Sequence, residues 1–270
     1  MHIDSGGVDI HVEVTGAGRP VVLLHGFPDS GRLWRSQVAA LSAAGFMVIV
    51  PDLRGYGASA KPASVEEYSL LYVAGDVLAI LDHLSLDRAH LVGHDWGSAL
   101  AWTMASLVPD RVDHLVTLSV GHPAAFRAVG IEQLEKSWYM FFFQFEGVPE
   151  RWLSDDSWAN LRAWTNHPDI DAAIAELGEN GSLTPALNWY RANIPPQGWV
   201  DAPLELPPVQ APTMGVWSTG DFALTEQQMT GSAEHVAGPW RYERLEGPGH
   251  WMQREAPDEV NRLLLDFLPA

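Results

Sequence analysis

A pentapeptide near the middle of the chain has the residue types and spacing of a catalytic turn. Gly93-His94-Asp95-Trp96-Gly97 lies between an apolar run and a segment of helical periodicity, with glycines two positions before and after its centre. Such a strand–turn–helix elbow lifts its central side chain above the carboxyl edge of a sheet, near a helix N-terminus that stabilises negative charge. The sequence therefore predicts Asp95 as a nucleophile. The alternative is that Asp95 serves only as the N-cap of the helix that follows.

An aspartate nucleophile restricts the reaction. A carboxylate is already anionic at pH 7, so it needs no base before it attacks. Attack on an acyl group would give a high-energy anhydride, whereas attack on a saturated carbon with a leaving group gives an ordinary ester that water can cleave. Asp95 therefore predicts displacement at sp3 carbon, with strained epoxides or carbon–halogen bonds as electrophiles.

Two later residues complete a nucleophile–acid–base order. His250 lies in a glycine-rich turn between the last predicted strand and the last predicted helix, and we expect it to be the base. Asp221 follows the strand predicted at Thr213–Trp217, and we expect it to orient His250. The rival position for the acid, after the preceding predicted strand, has no Asp or Glu from His114 to Ile131.

The loop His25-Gly26-Phe27-Pro28 follows another apolar run. We expect the backbone N–H groups of Phe27 and Trp96 to form an oxyanion hole for the ester on Asp95. His25 is expected to shape this loop beside the substrate. His122 follows a predicted strand, so it could line the site as well.

The candidate site residues can meet only in a fold that brings the ends of several strands together. The sequence indicates such a fold, because apolar runs alternate with helical patterns along most of the chain. This alternation is typical of a mostly parallel α/β sheet covered by helices on both faces. The predicted strands are Val8–Thr15, Val21–Leu24, Phe46–Val50, Ala89–Val92, Val112–Ser119, Thr213–Trp217 and Trp240–Leu245. The predicted helices are Leu33–Ala44, Leu70–Leu84, Trp96–Val108, Leu224–Val236 and Pro257–Leu268. The alternation breaks over 124–204, which predicts a helical cap inserted into a core made of 1–123 and 205–270.

The composition excludes several classes of function. Sixteen basic and 34 acidic residues among 270 give a net charge of −18, which argues against a nucleic-acid partner. There is no cysteine, so disulfides and thiolate metal sites are excluded, and we expect neither a metal ion nor a cofactor. Residues Met1 to Ser5 lack a secretory pattern and no apolar run could span a membrane, so we expect a cytoplasmic protein without a membrane partner. A homo-oligomer remains open.

From Val21 to Leu268 the chain resembles the α/β-hydrolase superfamily and, within it, the soluble epoxide hydrolase family. The Gly-His-Asp-Trp-Gly elbow and the His-Gly-Phe-Pro loop carry this resemblance, although haloalkane dehalogenases share much of both. The segments Gly249-His250-Trp251-Met252-Gln253 and Asp221-Phe222-Ala223-Leu224 are also similar to that family. The resemblance implies an α/β-hydrolase fold with an inserted helical cap.

Two segments of the predicted cap make the resemblance more specific. Tyr139-Met140-Phe141-Phe142-Phe143-Gln144 and Asn188-Trp189-Tyr190-Arg191 resemble the segments that carry the lid tyrosines of epoxide hydrolases. The resemblance implies that Tyr139 and Tyr190 donate to the epoxide oxygen, because ring opening otherwise releases a strongly basic alkoxide. The sequence departs from the family at Phe145-Glu146-Gly147, where Glu-Pro-Gly is frequent.

The predicted function is hydrolysis of a small apolar epoxide by water to a vicinal diol. The cap segment 124–204 carries six of the 12 tryptophans, which would suit aromatic walls around such a substrate. The residues expected around the substrate are His25, Phe27, Pro28, Trp96, His122, Phe143, Trp189 and Trp251.

Two alternatives remain. A haloalkane dehalogenase would use the same Asp-His-Asp set, with N–H donors in place of an acid for the leaving halide; Trp96 could supply one donor, but Phe27 stands where asparagine often supplies the other. A non-catalytic ligand-binding protein of this fold is a more distant alternative.

Overall fold

The computed structural model describes residues 1–200 and 205–270 and is built around one eight-stranded sheet. The strands are β1 (His2–Ser5), β2 (Val8–Thr15), β3 (Arg19–Leu24), β4 (Phe46–Pro51), β5 (Ala89–His94), β6 (Val112–Leu118), β7 (Thr213–Ser218) and β8 (Trp240–Leu245). Their order across the sheet is β1-β2-β4-β3-β5-β6-β7-β8. The pairs β1/β2 and β2/β4 are antiparallel and all other pairs are parallel, which confirms the predicted mostly parallel sheet.

Twelve helices are found in the described residues. They are α1 (Arg35–Ala43), α2 (Leu70–His83), α3 (Trp96–Leu107), α4 (Pro123–Ala128), α5 (Ile131–Lys136), α6 (Trp138–Phe142), α7 (Val148–Thr165), α8 (Ile170–Gly178), α9 (Leu183–Asn193), α10 (Glu226–Thr230), α11 (Met252–Glu255) and α12 (Pro257–Phe267). Helix α7 is interrupted where Asp155 to Trp158 leave helical geometry. Short 3-10 turns occur at Gly31–Trp34, Val65–Tyr68, Pro109–Arg111, Pro196–Trp199 and Gly231–His235. No helix of the described residues is long and apolar enough to cross a membrane.

The central strands are buried on both faces. In β3, Val21 and Leu23 join one apolar cluster, with residues of α1 and α12, while Val22 and Leu24 join the other, with residues of α2 and α3. This follows from the alternation of side chains across a strand. The first turn after each parallel strand is therefore left at the carboxyl edge of the sheet, where side chains can reach a common site.

Helices α4 to α9 follow β6, and no strand is formed among the described residues between β6 and β7. Their aromatic rings join the apolar cluster that also contains α2 and α3, so these helices pack over the carboxyl edge of the sheet. The expected cap limits of 124 and 204 stay a prediction, since residues 201–204, with the upper limit, lie outside the described residues.

Helix α9 is fastened to the loop that follows β4. Trp189 Nε1 donates to the Arg54 carbonyl at 3.0 Å, and Asn193 Nδ2 donates to the Tyr68 carbonyl at 2.9 Å. Arg54 is itself fixed by a buried ion pair with Asp76, at 2.6 Å. Since α9 carries Tyr190, these bonds set where that tyrosine lies relative to the sheet.

The structure corrects one predicted element and adds one strand. The continuous helix predicted at Leu224–Val236 is wrong: α10 spans only Glu226–Thr230 and a 3-10 turn follows. Asp221 Oδ1 accepts the N–H groups of Ala223 and Leu224, so the helix cannot begin before that turn is complete. Strand β1 was not predicted because it is four residues long, although the Gly6-Gly7 turn that pairs it with β2 is a hairpin signal.

Candidate active site

The turn between β5 and α3 has the geometry that its glycines predict. Asp95 adopts φ +52° and ψ −122°, an unusual conformation for a residue other than glycine. A Cβ atom at Gly97 would lie 2.0 Å from the Leu24 carbonyl oxygen, and one at Gly93 would lie 2.3 Å from the Gly97 carbonyl oxygen. The turn therefore requires glycine at both positions. The Asp95 side chain makes no capping hydrogen bond to α3, so its carboxylate faces other partners.

Those partners come from two loops. Asp95 Oδ1 accepts the backbone N–H of Phe27 at 2.8 Å, and Asp95 Oδ2 lies 3.6 Å from His250 Nε2. The approach of the first loop depends on Gly26, where a Cβ atom would lie 2.2 Å from Asp95 Oδ1. The predicted Phe27 donor is thus directed at the carboxylate, whereas donation by the Trp96 N–H stays a prediction.

The histidine is oriented from its other side. His250 Nδ1 donates to Asp221 Oδ2 at 2.9 Å, and both side chains are buried. The remaining carboxylate oxygen of Asp221 accepts the N–H groups of Ala223 and Leu224 at 2.8 and 3.0 Å. The structure therefore brings Asp95, His250 and Asp221 together, with Nε2 of the imidazole turned towards Asp95.

Charge dominates the titration of this set. Burial would lower the pKa of His250, but the nearby carboxylates of Asp221 and Asp95 outweigh it and raise the pKa from 6.5 to about 10. Burial would likewise raise the pKa of Asp221, but the His250 charge and the two backbone N–H donors hold it below its usual value. His250 is therefore protonated at neutral pH, and it lies between the side chains of Asp221 and Asp95.

The backbone of His250 is held by two residues that the sequence did not mark as functional. His94 Nε2 and Ser119 Oγ donate to the His250 carbonyl oxygen at 2.9 and 3.0 Å. Burial, with the His250 charge, lowers the pKa of His94 to about 4, so His94 is a neutral donor. The only sequence signals were their positions, one beside the nucleophile and one directly after β6.

Asp29 is a third residue that the sequence analysis missed. Its carboxylate accepts Trp251 Nε1 at 2.9 Å and His167 Nε2 at 3.1 Å. His167 Nδ1 accepts the backbone N–H of Asp169, which leaves the ring proton on Nε2. Burial would raise the pKa of Asp29, but His167 lowers it. Asp29 therefore ties its own loop to the loop of His250 and to the segment between α7 and α8.

A cavity of about 180 Å³ opens onto Asp95 and is largely apolar. Tyr139 of α6 and Tyr190 of α9 line it, with their ring centroids 5.9 Å apart. Burial, and then the charge of Asp95, raise the pKa of both phenols well above 10, so both are protonated at neutral pH. Among the described residues the cavity is lined by Leu70, Asp95, Trp96, Ala99, Val120, Gly121, Pro123, Phe126, Arg127, Tyr139, Met140, Tyr190, Asn193, Ile194, Gly198, Trp199 and Leu224.

Among the aromatic residues expected around the substrate, Trp96 lines this cavity. Phe27 and Phe143 lie beside it, with ring centroids 5.9 and 5.0 Å from that of Tyr190. A cis peptide bond joins Phe27 to Pro28 at the turn of the same loop.

The other residues expected around the substrate do not line the cavity and make hydrogen bonds or ring contacts outside it. His25 Nε2 accepts the Leu53 N–H, and Trp189 and Trp251 donate their indole N–H groups to Arg54 and Asp29. His122 accepts the Ala124 N–H and stacks on His235, 4.2 Å between centroids. The neighbours of His122 in sequence, Gly121 and Pro123, line the cavity in its place.

Comparison with known proteins identifies the family of the chain. Residues 19–257 match the family described as alpha/beta hydrolase fold, and the chain belongs to that family of hydrolases. The chain is 33% identical over 312 aligned residues to Epoxide hydrolase A of Mycobacterium tuberculosis, an alignment that covers 98% of this chain and 96% of that protein. It is 31% identical to an epoxide hydrolase of Caballeronia sordidicola, with coverage of 98% and 92%. The crystal structure of Bacillus megaterium epoxide hydrolase with an inhibitor superposes with a TM-score of 0.90 at 29% identity, covering 99% of both chains.

The electrostatic coupling predicts the effect of removing the charge of Asp95. We expect the Asp95→Asn variant to lower the pKa of His250 relative to wild type, because one of its two carboxylate neighbours is lost. NMR titration of the imidazole nitrogens, with His250 assigned by its loss in a His250→Gln variant, measures this. The control is Asp9→Asn, which alters a surface carboxylate that pairs with His2. We expect it to leave the pKa of His250 unchanged. An unchanged pKa of His250 in the Asp95→Asn variant would contradict the coupling.

Proposed function

We propose that this protein is an epoxide hydrolase that converts a small apolar epoxide to a vicinal diol through a covalent ester on Asp95. The observation that carries the proposal is the arrangement around the cavity: a carboxylate on the elbow, a buried His250–Asp221 pair beside it and two protonated phenols in its wall. The names of the similar proteins support the same activity.

In the first step, a carboxylate oxygen of Asp95 attacks one ring carbon from the side opposite the epoxide oxygen. The carbon–oxygen bond breaks, and both phenols, Tyr139 and Tyr190, donate to the oxygen: one transfers its proton and the other gives a hydrogen bond. A neutral phenol suits this role because it is far more acidic than the alcohol it forms, yet remains protonated until it is needed. The product is a hydroxyalkyl ester of Asp95.

Formation of the ester changes the charge that the other groups experience. The anionic Asp95 helps to raise the pKa of both tyrosines and of His250, and the ester carries no charge. Alkylation therefore lowers the pKa of the phenols as the alkoxide forms. It also brings His250 closer to the neutral form that can act as a base, so each step prepares the groups used by the next.

Ring opening leaves a tyrosinate, which takes back a proton from the cationic His250 by way of water, so the imidazole becomes neutral. In the second step, Nε2 of His250 takes a proton from water, and the water oxygen adds to the ester carbon. The N–H groups of Phe27 and Trp96 stabilise the charge that develops on the ester oxygen. Collapse of this intermediate releases the diol, whose new hydroxyl takes the proton from His250. Asp95 is regenerated with one oxygen from water, and the proton on that oxygen passes to His250, which is cationic again. Asp221 keeps the imidazole oriented throughout.

One observation favours a second activity, haloalkane dehalogenation. Trp96 lines the cavity with its side chain beside the Tyr190 phenol, so its indole N–H could also hold a leaving halide. The indole N–H of Trp189 is committed to the Arg54 carbonyl, however, and position 27 is phenylalanine. Epoxide opening uses both phenols and is the better supported reaction. In either reaction, residues 124–204 would act as the cap over the active site. We place the protein in the cytoplasm, and we leave a homo-oligomer open.

The covalent intermediate gives the first test. We expect a His250→Gln variant incubated with styrene oxide to accumulate an adduct of one substrate mass on Asp95, because alkylation proceeds but its hydrolysis lacks a base. Intact mass spectrometry followed by peptide mapping measures this. The matched control is His83→Gln at the exposed end of α2, which turns over without accumulating an adduct. Continued turnover by His250→Gln with no adduct would contradict the mechanism.

Removal of the phenols distinguishes the two candidate reactions. General acid catalysis contributes about 10²–10⁴-fold, so we expect Tyr139→Phe with Tyr190→Phe to lower kcat for styrene oxide by about 100-fold or more. The conversion of 1-bromobutane needs no acid and would not fall in parallel. The exposed Tyr72→Phe serves as the control. Undiminished epoxide hydrolysis by the double variant would shift the proposed activity to dehalogenation.

A further inference from the structure

The space around Asp95 is unequal on its two sides. The cavity extends past Trp96 and Met140 towards Phe126 and Trp199. Phe27, whose N–H binds Asp95, does not line the cavity: its ring packs on Phe143 and Trp164, and Trp164 packs on Tyr139. A substrate carbon placed at Asp95 therefore has room for a substituent in one direction only.

Two rings, Trp164 of α7 and Phe222 of the loop after β7, contact each other at 6.0 Å between centroids. We call this pair the partition. On its inner side, Trp164 lies 4.8 Å from the ring of Tyr139 and 5.7 Å from that of Phe143, and Phe222 lies 5.9 Å from the ring of His250. The partition thus contacts both the proton donor and the base of the proposed reaction.

On the outer side of the partition is a second cleft, of about 750 Å³. Trp164 and Phe222 both line it and are both partly exposed, and Trp138 on its rim is 44% exposed. Its remaining lining is mainly polar, with Glu132, Glu135 and Thr219 among the residues. The partition rings, together with Leu224 and Asp221, separate this open cleft from the groups around Asp95.

We infer that Trp164, supported by Phe222, restricts the enzyme to epoxides that carry a substituent on one ring carbon, that is, terminal epoxides; this inference rests on the proposed function. A trans-disubstituted epoxide with its oxygen at the tyrosines and one carbon at Asp95 projects groups in opposite directions, and the partition occupies one of them. The available volume agrees: a cavity of about 150 Å³ holds one benzene ring, and this cavity is about 180 Å³.

Trp164 is the residue to change, because Phe222 directly follows Asp221 and contacts the base. Shortening Trp164 would join the site to the outer cleft and make room for a second substituent. The matched control is Trp158 of the same helix α7, whose ring packs near Gly178 of α8. Trp164→Leu is the companion variant, since it keeps more apolar volume than Trp164→Ala and better preserves the packing of Tyr139.

The test compares kcat/KM for styrene oxide and for trans-stilbene oxide, because their ratio cancels any general loss of active enzyme. We expect the wild type to prefer styrene oxide by about 100-fold or more. This preference should fall by about tenfold or more in Trp164→Ala or Trp164→Leu, in line with the 10–200-fold that a single methylene is worth in a tight pocket. It should stay unchanged in Trp158→Ala.

The outcomes separate this inference from the proposed function. Equal use of both epoxides by the wild type would contradict the role of the partition and leave epoxide hydrolysis standing. An unchanged preference in both Trp164 variants would likewise overturn it. If no epoxide is hydrolysed and Asp95 is never alkylated, the proposed function fails, and the inference fails with it.

Discussion

The electrostatic interaction with the negative charge of Asp95 shifts the pKa values of the other reacting groups of the site. This charge lies where the backbone must adopt φ +52°, beside an imidazole and an N–H donor, and it also helps to raise the pKa of two phenols across the cavity. A single change, the conversion of this carboxylate to a neutral ester, therefore alters the acidity of both phenols and of His250. The order of the two chemical steps then needs no conformational change, since the charge state of Asp95 couples them.

The rest of the molecule serves to hold that charge in place. Three glycines allow backbone atoms to approach to distances that a Cβ atom would forbid: Gly26, Gly93 and Gly97. Asp29 links the loop of Phe27 to that of His250 and to the segment after α7. Helix α9 is fixed by bonds to the loop after β4. The nucleophile, the base and the phenols thus come from separate segments whose relative positions are set by buried hydrogen bonds, which hold the reacting groups in a fixed geometry.

The sequence predicted seven of the eight strands. The central parallel strands, buried on both faces, appear as continuous apolar runs, and β2 appears as an alternation of apolar and polar residues. Asp95, His250 and Asp221 were also predictable, since each follows a strand at the edge where strand ends meet. The features that the amino-acid sequence could not show depend on contacts between segments that are distant in the chain. Asp29 carries no local signal beyond its place after Pro28. The partial burial of Trp164 beside the outer cleft exists only once helices α4 to α9 pack. The pocket residues show the same limit, because an aromatic residue near a motif can line a cavity or stand behind it, as His122 does.

The source of the oxygen added to the substrate tests the central claim most directly. In a single turnover of styrene oxide by excess enzyme in water labelled with oxygen-18, the covalent scheme predicts an unlabelled diol, because its new oxygen comes from the carboxylate of Asp95. The label is then found in Asp95 by peptide mass spectrometry, and enters the diol only in later turnovers. A labelled diol in the first turnover, with Asp95 unlabelled, would mean that water attacks the epoxide directly and would contradict the account.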